Sequence, residues 1–181
     1  GFTGMPRRLF SCTPSRLTSW LDCPRAYRMK YVDRPRPAPG PPWAHNSLGA
    51  SVHNALANWW RLPRQRRTPE NAGQLVESGW LADGFRGDEQ SASWRVRSRE
   101  MVERYVTGLD PDAEPLGVER TLAARTERLA LSGRVDRLDD RDGELVVVDY
   151  KTGRRPLTTD DARGSMALAI YAITAGRTLR R

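Results

Sequence analysis

The stretch GELVVVDYKTGRR, residues 143–155, constrains the fold more than any other part of the chain. Leu145 to Val148 form an apolar run without alternation, and the run ends directly on Asp149, Tyr150 and Lys151. Such a run reads as a central, buried strand with both faces covered. In extended chain, side chains two apart share a face, so Asp149 and Lys151 point one way and Tyr150 the other. A surface ion pair would account for Asp149 and Lys151 by themselves, and such pairs contribute little. Just upstream, Asp142-Gly143 is a two-residue hairpin signal. The hairpin folds SGRVDRLDD back alongside and brings Asp136 next to Asp149. Two carboxylates so placed repel unless a cation lies between them. Hard oxygen ligands with vacant positions suit Mg²⁺ or Mn²⁺. Lys151 would then orient a water or offset charge building on a phosphate, rather than ligate.

The remaining segments surround this hairpin. Thr13-Pro14 opens a helix with Leu17, Trp20 and Leu21 on one face, and Pro24 starts a new turn. Residues 34–42 read as a Pro- and Gly-rich loop, and His45 is assigned to it without a role. Ser47 is expected to cap a helix to about Leu62, with Leu48, Val52, Leu56, Trp59 and Trp60 as its apolar stripe. His53 lies mid-helix there as a third ligand candidate, against the commoner structural use of a single helical histidine. Thr68-Pro69 opens a helix carrying Leu75, Val76 and Trp80, and Asp88 opens another. From Gly117 to Asp149 the period changes to that of about three antiparallel strands. A last helix is expected over 161–175, stopped by Gly176.

Partners are bounded by charge. The 181 residues carry 30 Lys and Arg against 22 Asp and Glu, a net +8, which favours polyanions, nucleic acid first. Arg25, Arg28, Lys30 and Arg34 on one side, and Arg154 and Arg155 after the hairpin, are the expected phosphate contacts. Arg61, Arg64, Arg66 and Arg67 form a further basic run beside Trp59 and Trp60; the tryptophans read better as core than as stacking platforms. No apolar run reaches membrane-helix length, and no leader is evident, so a cytoplasmic protein is expected. Two cysteines, Cys12 and Cys23, are too few for a four-thiolate site. Residues 1–4 precede Met5 and read as a vector scar, and the chain is expected to continue past Arg181.

Taken together, four stretches resemble the RecB-like branch of the PD-(D/E)XK nucleases, which is related to the CRISPR adaptation and AddB-type nuclease domains. They are TPSRLTSWLDCPRAYRMKYVDR, GASVHNAL, GRVDRLDD and VVDYKTG, in the family's order. The resemblance implies an α/β fold: a restriction-endonuclease-like core, with a mixed sheet flanked by helices and a helical N-terminal annex. Residues 5–112 would be the annex carrying the His motif, and 113–181 the core, its last strand missing. By resemblance His53, Asp136, Asp149 and the Tyr150 carbonyl would hold metal, and Lys151 would be the catalytic lysine. Glu119 and Tyr171 would be auxiliaries; a solvated strand residue and a core tyrosine are the alternatives. Cys23 corresponds to one ligand of the 4Fe–4S cluster of some relatives, the other three lying in a longer chain. The family implies DNA as partner and a helicase on another chain. MALAIYA departs from the family's Gln-x-x-x-Tyr, because Ala167 stands at the Gln position. That departure supports a second reading, a catalytically inactive DNA-binding or assembly module.

Overall fold

The computed structural model describes residues 9–35, 38, 40–153 and 157–179. Helices α1 (Pro14–Asp22) and α2 (Pro24–Tyr31) follow a short strand β1 (Phe10–Cys12). Thr13 caps α1 by accepting from the Arg16 amide, with Pro14 in the first turn, as the sequence implies. Helices α3 (Ala44–Arg61), α4 (Pro69–Ser78) and α5 (Asp88–Thr107) come next. They lead into β2 (Gly117–Arg125), β3 (Leu129–Arg141) and β4 (Glu144–Val148), and then α6 (Thr159–Arg163) and α7 (Met166–Leu179). Among the described residues no helix is long and apolar enough to cross a membrane.

Several expected boundaries move. Helix α3 starts at Ala44, so Ser47 is buried inside it and His45 is helical rather than in the loop. Trp80 lies past the end of α4. The single last helix is two, and Gly176 sits within α7, because packing on the sheet carries the helix through that glycine.

The sheet is mixed, and β3 is its spine. On one side β2 pairs antiparallel along most of it, from Gly117↔Leu138 to Arg125↔Ala130. On the other side β1 pairs parallel with Leu129–Leu131, and β4 pairs antiparallel with Arg137–Arg141. Between these two pairings no strand among the described residues pairs with that edge of β3, and Asp136 lies in the gap. Strand β1, three residues long, has no alternation to announce it. Strand β4 is not central as expected: it pairs with β3 alone among the described residues. Its unbroken apolar run has another cause. Leu145 and Val147 pack toward α7, and Val148 packs toward α3 and α5, so both faces are covered. The turn joining β3 to β4 matches its sequence, with Asp142 at φ 54° and Gly143 at φ 86°.

Two apolar clusters hold helices to this sheet. The larger joins Val52, Leu56, Trp59 and Trp60 of α3 to Val76 of α4 and Val102 of α5, and reaches Tyr150. Trp59 and Trp60 are therefore core. Arg67 is also buried: its guanidinium donates to the carbonyls of Trp60, Leu62, Pro111 and Ala113 at 2.9–3.0 Å. It ties the end of α3 to the loop before β2 and is not available to phosphate. The smaller cluster packs Ala175 of α7 on Leu122, Val135 and Leu138. Val135 and Leu138 are three apart yet share it, so the strand's alternation breaks between them. The intervening Asp136 and Arg137 both turn toward α3, one to His53 and the other over the Trp60 ring.

Candidate active site

The break in alternation builds the site. Strand register puts Glu119 opposite Asp136 from β2, one step beyond the Val118↔Arg137 pair. On the other side Asp149 follows the Arg137↔Val148 pair and would also face Asp136. Three carboxylates thus share one row across three adjacent segments. Like charges directly across a sheet destabilise it, and the backbone departs from the ladder here. Glu119 takes φ 51°, in the left-handed region that a residue with a Cβ enters only at a cost of order 1–3 kcal/mol. After Val148 the chain leaves the ladder, and the Tyr150 amide donates to Asp136 Oδ2 at 2.6 Å.

Each carboxylate of the row has its own basic partner. Arg134 Nε lies 2.8 Å from Glu119, and Lys151 forms an ion pair with Asp149. His53 Nδ1 donates to Asp136 Oδ1 at 3.1 Å, reaching down from α3. That bond is the main cause that raises the His53 pKa above 6.5; burial opposes it, and Asp149 and Glu119 add to it. These partners offset part of the crowding of three acids, and His53 does so as an ion pair only when its imidazole is protonated.

The donor set fits a divalent ion. Ligand atoms of His53, Glu119 and Asp136 lie within 4.8 Å of one another. Two carboxylates and an imidazole oriented by one of them form a set that such ions take. Asp149 is not within that group; its carboxylate turns to Lys151. The structure thus brings together His53 and Asp136 from the expected ligands, adds Glu119 to them, and pairs Asp149 with Lys151. Glu119 was legible as an acid on the preceding strand, but its left-handed backbone was not.

Tyr150 points away from this row, as period two requires. Its ring sits edge-on to His53 and to Tyr105, 5.8 and 5.7 Å between centroids, and burial pushes its hydroxyl up to about 12. Tyr171 reaches the site from α7. Its pKa is raised by burial and then by Asp149 and Asp136. A Cβ at Gly133 would lie 2.5 Å from Tyr171 Cε1, so the ring rests directly on the strand at that glycine. Ala167 faces a hollow of about 510 Å³ bordered by Pro14, Thr18 and Cys23.

The expected phosphate contacts fall on other elements or outside the described residues. Arg25, Arg28 and Lys30 are exposed on α2, whose main packing partner is α1, and Arg28 pairs with Asp33 at 3.1 Å. Arg154 and Arg155 lie outside the described residues. Cys23 is exposed, and its sulfur accepts from the Ala26 amide at the start of α2.

A mixed sheet flanked by helices, with acids gathered where its central strand forks, is consistent with a restriction-endonuclease-like fold. Residues 11–181 match the family model of the PD-(D/E)XK nuclease superfamily, and the chain belongs to that superfamily. It is also similar to the gene 69 protein of Mycobacterium phage D29. The two are 24% identical over 196 residues, covering 91% of this chain and 71% of the phage protein.

Proposed function

We propose that this chain is a metal-dependent nuclease of RecB type that hydrolyses DNA phosphodiesters, processing DNA ends in recombination, repair or defence. The observation that carries this reading is the His53, Glu119 and Asp136 cluster beside the Asp149–Lys151 pair. The superfamily's members hydrolyse phosphodiester bonds with divalent metals, which supplies the reaction class. The order of the four sequence stretches favours the RecB-like branch. A helicase on another chain and a cytoplasmic setting belong to the proposal through that resemblance alone.

His53, Glu119 and Asp136 would hold the ion, Mg²⁺ or Mn²⁺, with Asp149 and the Tyr150 carbonyl completing its shell. When bound, the ion lowers the pKa of a water and offsets phosphate charge. Asp136 orients the His53 ring through Nδ1, which leaves Nε2 with its lone pair. Lys151, released from Asp149, would place its ammonium where negative charge develops. Between Asp149 and Lys151, the buried Tyr150 packs edge-on against His53 and Tyr105.

The test is Mn²⁺- or Mg²⁺-dependent cleavage of single-stranded and duplex DNA. The wild type should cleave, and Lys151→Ala should lower the rate about 100-fold or more while leaving the fold intact. The second reading, an inactive DNA-binding module, draws on Ala167 and the hollow beside it. DNA binding with no cleavage in either metal would favour it over the enzyme.

A further inference from the structure

Strand β1 and helices α1 and α2 enclose an apolar pocket of about 340 Å³. Phe10, Cys12, Leu17, Trp20 and Tyr27 line it, and Arg16 brings a guanidinium to its wall. It shares no lining residue with the His53, Glu119 and Asp136 cluster. We propose that this pocket docks the C-terminal residue of an acidic peptide from a partner protein. A large apolar side chain fills the pocket, and the terminal carboxylate pairs with Arg16.

The surface around the pocket suits protein better than nucleic acid. Phe10, Trp20, Leu21, Met29 and Val32 are each at least 50% exposed. Aromatic and Met side chains are what a protein interface buries at its centre, and a phosphate chain has nothing to cover Leu, Met and Val. Charge then selects an acidic partner. Residues 10–34 hold five Lys and Arg against two Asp. Of those five cations only Arg28 pairs with an acid among the described residues. Arg25 and Lys30, exposed on α2, are left to meet carboxylates of the incoming peptide.

Arg16 selects the end of a chain. Its Nη1 donates to the Ser11 carbonyl at 2.9 Å, and its guanidinium carbon lies 4.9 Å from the Tyr31 ring centre and 5.7 Å from that of Phe10. Its Nε is buried and has no hydrogen-bond partner. The planar fork is thus held in place, and among the described residues no carboxylate offsets its charge. A residue that enters beside it needs an apolar side chain and a carboxylate on one Cα. Only the last residue of a chain has both. The aromatic wall is also in place beforehand: Trp20 stands edge-on to Tyr27 at 5.4 Å, and Tyr27 leans on Tyr31 at 5.0 Å. A pocket built in this way loses little freedom when it is filled.

Fluorescence anisotropy of a labelled Asp-rich peptide ending on Phe with a free carboxylate tests this. Amidating the terminal carboxylate should weaken binding by the wild type roughly 10-fold, and ending the peptide on Ala instead of Phe about as much. In Arg16→Gln the free and amidated peptides should bind alike, while Arg16→Lys should restore part of the difference. Trp20→Ala should narrow the gap between the Phe and Ala peptides. Equal binding of all three peptides by the wild type overturns the proposal, whether or not the variants fold. So does displacement of the free and the amidated peptide by the same concentration of oligo-dT, which would make this face a general polyanion surface. A dimer in sedimentation that Trp20→Ala dissolves and the peptide leaves intact would give the pocket to a second copy of the chain. No cleavage enters any of these readouts, so the nuclease reading stands or falls separately.

Discussion

His53 carries the pH dependence of the site. Its folded pKa lies above 6.5 because Asp136 stabilises the imidazolium, so the pair contributes stability in full below 6.5. As pH rises from there through the folded value the proton leaves and that contribution is lost. In chelator, the urea midpoint of the wild type should therefore fall with rising pH over this window, and that of His53→Gln should stay flat across it. Metal binding should run the opposite way. The ion competes with the proton for the imidazole, so Mn²⁺ affinity should rise with pH over the same window. A wild-type urea midpoint that rises with pH there would show that the Asp136 contact is not what sets His53.

At the scale of elements, the fork in β3 is where strand pairing yields to chemistry. Helix α7 crosses that fork, and Tyr171 comes close only because residue 133 has no side chain. Gly133→Ala should push the ring off the strand and cost about 1–3 kcal/mol of stability, as overpacking does. Denaturant unfolding measures the cost, and Gly133→Ala combined with Tyr171→Ala should recover most of it. The hairpin and the change from helical to strand period were legible from side-chain pattern. Strand β1 was not, since three residues carry no period. The break of alternation at Asp136 was hidden as well, because it depends on which side chains meet across neighbouring strands and not on the period along one.

For the molecule as a whole, folding assembles a row of repelling acids, and a bound ion should return that cost. Mn²⁺ at about 100 times its Kd should add about 2.7 kcal/mol of stability. The gain, read as a rise in Tm, should disappear in Asp136→Asn. In Glu119→Gln it should shrink too, if the left-handed residue is a ligand as proposed. An undiminished shift in Glu119→Gln combined with Asp136→Asn would place the ion elsewhere. The net charge of +8 acts at this scale also, drawing the chain toward polyanions without choosing a site.

Local pattern alone settled the Asp142-Gly143 turn, the hairpin that joins the strand of Asp136 to the segment of Asp149, and α3 as the helix bearing His53. These follow from neighbours along the chain, where period and turn chemistry act directly. Tertiary packing decided that β4 lies on an edge with helices over both faces, and that Arg67 serves the backbone rather than DNA. It also placed Glu119, in place of Asp149, beside His53 and Asp136. Which acids come within reach of one ion depends on how three strands and a helix cross, and no spacing along a single chain encodes that crossing.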